Sequence, residues 1–142
     1  MSKKSPRIAA LIAHRQGGRR PAAYLGYFDC FNAGLYYEAH DVLEELWLAG
    51  GRDAPNYAFY KGLIQLAGAY VHLQKERLRP AVALFKLAEA NLTQYPPRQD
   101  GCDVAAALGL IRDWRGFVES GAFVRNPLRD RAAPTLDPPL DG

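Results

Sequence analysis

At 142 residues, 49% of them apolar and 23% charged, the chain is sized for one domain with its own core. No apolar run approaches the roughly 20 residues of a membrane helix, and "IAALIA", behind Lys3, Lys4 and Arg7, falls short of the roughly 7–15 apolar residues of a secretory signal. Cys30 and Cys102 form no CxxC pair and no metal-ligand spacing; a soluble protein of the reduced cytoplasm, with no membrane contact, is expected.

The net charge of +3 is unevenly spread. Lys3, Lys4, Arg7, Arg15, Arg19 and Arg20 all precede the first acid, Asp29, so the remainder is net acidic. Residues 1–20 therefore read as a flexible basic arm, and "HRQGGRRP" interrupts any helix in it. Nucleic acid is one partner such an arm would suit.

From residue 21 the periodicity is helical, and strand patterning is almost absent. Pro21 opens a first helix that Gly34 stops. A second spans about residues 35–49 and ends at Gly50-Gly51. A third runs from Pro55 to about residue 76, and a fourth from Pro80 to about 94, before Pro96-Pro97. Ala81, Leu84, Phe85, Ala88 and Leu92 form the buried stripe of the fourth. Asp100 or Asp103 caps a fifth helix, about 103–119, ended by Gly121. Residues 122–142 hold Pro127, Pro134, Pro138 and Pro139 and read as an extended or disordered tail. Short connections favour antiparallel neighbours, so the fold class is all-α: about five helices in an up-and-down bundle or array over residues 21–121.

Chemistry concentrates on two helices. On the second, Leu35, Tyr36, Ala39, Val42, Leu43, Leu46 and Trp47 share one apolar face, with Trp47 a structural aromatic. His40 sits at its rim with Glu44 one turn on, and Tyr37 shares that rim. The third helix is apolar almost all round, except for Lys61, Gln65 and His72, which fall within roughly 40° of one another. Gly68 leaves that line open. Burying such groups unpaired costs about 1–3 kcal/mol each, so the rim carrying His40 and Glu44 is the expected partner. Counting outward from the turn near Asp53 brings Lys61 and Gln65 level with Glu44 and His40, and His72 level with residue 34, near Asn32.

"FNAGLYYEAHDVLEELW" followed by "FYKGLIQLAGAYVHL" resembles the bacterial and archaeal family called domain of unknown function 309. Its hallmark is histidine, three residues, glutamate, two residues, then tryptophan or tyrosine; His40, Glu44 and Trp47 match. The resemblance covers about residues 24–95. It implies an all-helical domain and metal binding at the histidine–glutamate motif, and it implies no particular activity.

Three readings of His40 and Glu44 stand side by side. As ligands of a divalent metal they suit zinc, manganese or iron, but the set needs Asn32, Glu38, His72, water or a second subunit to complete it. As packing residues they form a hydrogen-bonded network, Glu44 with Lys61 and His40 with Gln65 or Tyr37. As a metal-free site they bind a small ligand in a pocket with Asn32, Tyr37, Lys61, Gln65 and His72. If the protein is an enzyme, metal-assisted hydrolysis with Glu44 as ligand or base is the class best matched. The alternative is a helical interaction or self-association module, a homo-oligomer or the scaffold of a protein partner. "GAYVHLQKERLRPAVALFKLAEANL" partly resembles one tetratricopeptide unit, but no second unit follows at the 34-residue period, which disfavours a repeat array.

Overall fold

A computed structural model describes residues 6–140. The helices are α1 (Pro6–Ile12), α2 (Ala22–Asn32), α3 (Tyr36–Gly50), α4 (Tyr57–Gln74), α5 (Leu78–Leu92), α6 (Val104–Ser120) and α7 (Pro127–Asp130), with a 3-10 turn at Ala13–Arg15. The expected five helices are α2 to α6. Consecutive helices pack as neighbours, α2 on α3, α3 on α4, α4 on α5 and α5 on α6, as short connections dictate for an up-and-down array.

The terminators act as their chemistry requires. Gly34 and Gly51 take φ of 77° and 75°, a left-handed turn that a side chain would strain. Asp103 caps α6, its Oδ1 accepting from the Ala106 N–H at 2.9 Å. α5, expected from Pro80, begins two residues earlier at Leu78, and Pro80 sits in the first turn where no amide donor is needed.

α4 lies at the centre. Leu63, Leu66, Ala67, Ala69, Tyr70 and Leu73 are fully buried. The core around it is aromatic: Tyr24, Tyr27, Phe28 and Phe31 of α2 line one stripe, and Phe31, Tyr36 and Tyr70 pack ring on ring. Tyr27 donates its hydroxyl to the Leu63 carbonyl, tying α2 to α4. Cys30 and Cys102 are buried free thiols in this core.

Three segments differ from the sequence expectation. A short antiparallel pair, β1 (Arg98–Gln99) with β2 (Cys102–Asp103), precedes α6. Asp100 and Gly101 turn between them with φ of 49° and 77°, the positive pair that a two-residue hairpin turn demands.

The basic arm, read as flexible, is helical from Pro6, and Ile8 joins the core. Its charges meet carboxylates far along the chain. Arg7 pairs with Glu38 at 2.7 Å, and Arg15 forks onto both oxygens of Asp29 at 2.7 Å. The Arg15 hydrogen bonds hold the Asp29 carboxyl below its ordinary range. Local composition cannot reveal partners 14 and 31 residues away. Residues 1–5 of the arm, with Lys3 and Lys4, lie outside the described residues, as do 141–142 of the tail.

The tail, read as extended or disordered, forms the short helix α7, runs without regular structure over residues 132–139, and is docked. Leu136 is buried at 5% exposure, and Asn126 and Pro127 are buried as well.

Candidate functional site

α3 and α4 carry the candidate residues on facing sides, with α5 closing the third wall. Between them lies a cleft of about 230 Å³ lined by Tyr37, His40, Ile64, Gln65, Gly68, Val71, His72 and Leu84. Four residues singled out from sequence, Tyr37, His40, Gln65 and His72, thus meet at one cavity. The floor is apolar because α4 is apolar nearly all round, and it stays open because Gly68 has no side chain. A Cβ built there would come within 3.1 Å of Leu84 Cδ1.

His40 sits on α3 between two carboxylates. Its Nδ1 lies 3.2 Å from Asp41 Oδ1, and its Nε2 lies 3.8 Å from Glu44 Oε2. The Tyr37 ring stacks beside it, centroids 6.3 Å apart and planes at 27°. Tyr37 is itself 58% exposed, a rim residue and not a core one.

His72 stands in the last turn of α4. Its Nδ1 is buried and has no hydrogen-bond partner among the described residues. Burial, and then the nearby charges of Arg77 and Lys75, push its pKa below the ordinary histidine value. It is therefore a neutral imidazole at pH 7, able to offer one donor and one acceptor. Just beyond it, Gln74 Nε2 donates to the Gly34 carbonyl at 3.1 Å.

Other residues go elsewhere. Gln65 faces α5 rather than His40, and its Oε1 accepts from Asn91 Nδ2 at 2.7 Å. Lys61 does not join Glu44 in an ion pair among the described residues; its Nζ stands 5.8 Å from the centroid of the Tyr57 ring. The central helix has neighbours on both flanks, and its polar line turns partly toward the second. Asn32 is outside the cleft. Its side chain grips the backbone of Leu136, Nδ2 donating to the carbonyl and Oδ1 accepting from the N–H, both at 2.7 Å. Trp47 packs on Tyr57 at 5.3 Å between ring centroids, half-buried. The sequence does not place Ile64, Val71 and Leu84 at the site, because apolar residues on packed helices give no sign of facing a void.

The metal expectation is tested by the donor set. A catalytic zinc site takes three protein ligands and a structural one takes four. His40 and Glu44 supply two, and the described residues contain no group of three or more His, Cys, Asp or Glu placed to share an ion. Asn32 binds the tail, and His72 does not join His40 and Glu44 in a set of three among the described residues. The donors do not fit a metal centre built by these residues.

No helix among the described residues is long and apolar enough to cross a membrane. No curated protein and no solved structure matches the chain. Residues 24–93, which contain all but the first two residues of α2, the whole of α3, α4 and α5, and all eight cleft-lining positions, match the family model described as "Domain of unknown function (DUF309)". Through these residues the chain belongs to the DUF309 family.

Proposed function

We propose that this helical domain binds a compact organic ligand in the cleft between α3, α4 and α5. The apolar body of the ligand lies on Ile64, Val71 and Leu84, and its hydrogen-bonding group lies toward His40 and His72. The observation that carries this reading is the convergence of Tyr37, His40, Gln65, Gly68 and His72 on one open cavity. At about 230 Å³ the cavity is smaller than the roughly 300–1,000 Å³ of drug-sized sites, so the fitting ligand is the size of a single aromatic or branched-chain acid or amide. The neutral His72 imidazole suits a group that both donates and accepts, such as a hydroxyl, an amide or a protonated acid. Glu44 and Asp41 hold and polarise the His40 ring from behind. This reading puts no metal in the site and asks no chemistry of Glu44 beyond orientation.

The test is a ligand-observed NMR screen of small carboxylic acids, amides and phenols against the protein and against Gly68→Leu, which fills the cavity. Binders that lose signal only with the unmodified protein support the reading. A library without binders, or binders indifferent to Gly68→Leu, refutes it.

A second reading, an interaction module in which a partner's side chain enters the same cleft, is favoured by the exposure of Tyr37 at the rim. It predicts that Tyr37→Ala abolishes partner capture while small-molecule binding inside the cleft persists.

A further inference from the structure

The chain leaves α6 through an awkward turn. Gly121 ends the helix with an ordinary φ of −84°. The next two residues, neither of them glycine, take the left-handed conformation: Ala122 at φ 55° and Phe123 at φ 60°. Each such residue is disfavoured by contact between its Cβ and the backbone. The Phe123 N–H donates to the Val118 carbonyl at 3.1 Å, and Arg79 lies over its ring at 4.2 Å, so the turn is held from outside.

Beyond this turn the chain becomes a strap. Asn126 donates to the Leu73 carbonyl and to Glu76, and Arg129 pairs with Glu76. Leu136 is buried, with both its backbone groups gripped by Asn32. The Leu140 N–H donates to the Gly101 carbonyl at 2.9 Å, and its carbonyl accepts from Arg20 at 3.0 Å. Residues 132–139 have no helix or ladder of their own. The strap is thus held by Asn32 of α2, Leu73 of α4, Glu76, Arg20, the hairpin and the Phe117 ring of α6, over which Arg131 lies at 3.6 Å, and these contacts are the same whichever copy supplies it.

We propose that two copies of this chain exchange residues 124–140, with Ala122 and Phe123 as the hinge. The closed hinge keeps both residues left-handed; the opened hinge releases them, while every docking contact is remade across the pair. This is the condition under which exchange competes with the closed monomer. The surface is the one that holds Leu136 and Leu140, and its partner is the strap of a second copy.

The experiment uses full-length chains. Asn32→Ala damages the receiving surface, and Leu136→Asp damages the strap. After brief warming and cooling of an equimolar mixture, exchange restores one intact site per pair. Light scattering behind gel filtration then finds a one-to-one heterodimer that neither variant forms alone. Monomers at every mixing ratio overturn the proposal. Should Leu136→Asp fail to fold, Ala122→Gly decides, since Ala122 is exposed and glycine removes only its backbone strain. Two relieved hinges per dimer make the Ala122→Gly dimerisation Kd weaker by about 30-fold in sedimentation equilibrium. A wild-type chain that stays monomeric to about 1 mM, or a Kd unmoved by Ala122→Gly, overturns it.

Discussion

Replacing Gly68 with alanine separates an open cleft from a tight helix crossing. Glycine inside a helix costs about 0.8–1.0 kcal/mol relative to alanine. At residue 68 the new Cβ meets one neighbour, Leu84 Cδ1, at 3.1 Å. Leu84 is half-buried and borders the cavity, so its methyl group can yield by a few tenths of an ångström into empty space. The net result is a gain of about 0.5 kcal/mol. Gly62, two turns earlier on the same helix, is the internal control. There a Cβ would come within 2.8 Å of Leu92 Cγ, 2.9 Å of Leu92 Cδ2 and 3.2 Å of Asn91 Cβ. Leu92 is fully buried and has nowhere to go. Overpacking of about 1–3 kcal/mol outweighs the helix gain, leaving Gly62→Ala destabilised by about 1 kcal/mol. Urea unfolding with matched slopes reads both values, and for a chain of this size the difference corresponds to a few degrees in Tm. Gly68→Ala also removes volume from the cavity and weakens any cleft ligand. A loss above about 1 kcal/mol for Gly68→Ala would refute the reasoning, because α4 and α5 would then touch where the cleft is drawn.

Three further outcomes are expected. His72 is kept neutral by burial and by Arg77 and Lys75, so below the ordinary value of 6.5 the unfolded chain binds protons that the folded one resists. Stability therefore falls as pH drops from 6.5 through the lowered folded value, His72→Gln flattens that acid limb, and an unchanged Tm profile would contradict this. Asn32→Ala removes two 2.7 Å bonds to Leu136, about 2 kcal/mol of strap docking, and hydrogen exchange across residues 132–140 speeds up by about 30-fold. Exchange there that matches the wild type would show that the strap is held by other means. Excess zinc or manganese shifts Tm by less than about 1 °C, since two donors bind weakly; stoichiometric metal that disappears in His40→Ala would overturn the rejection of a metal centre.

The helices were legible because their signals are local. Gly34, Gly51 and Asp103 terminate or cap through their own backbone and side-chain geometry, and the stripe of α5 repeats at helical spacing. The hairpin escaped because its strands are two residues each, too short for alternation, although Asp100-Gly101 is itself a turn signal. The docking of both chain ends escaped because Glu38, Asp29 and Asn32 are partners only in three dimensions. At the site, rotation about the α4 axis puts Lys61, Gln65 and His72 on one line, of which Gln65 and His72 line the cleft and Lys61 does not. It could not say which flanking helix each would face, and Gln65 turned to Asn91 on α5. Asn32 shows the limit most clearly: a polar residue beside the site motif, it serves the strap and not the cleft.

A ligand seated between α3, α4 and α5 would touch three methyl-bearing side chains of the cleft, Ile64, Val71 and Leu84. Methyl-labelled NMR of Ile64, Val71 and Leu84, titrated with the best small acids or amides of the screen, tests it most directly. Saturable shifts confined to these methyl groups and to the His40 and His72 rings, and lost in Gly68→Leu, are expected. Shifts scattered over the surface, or none at any concentration, would contradict it.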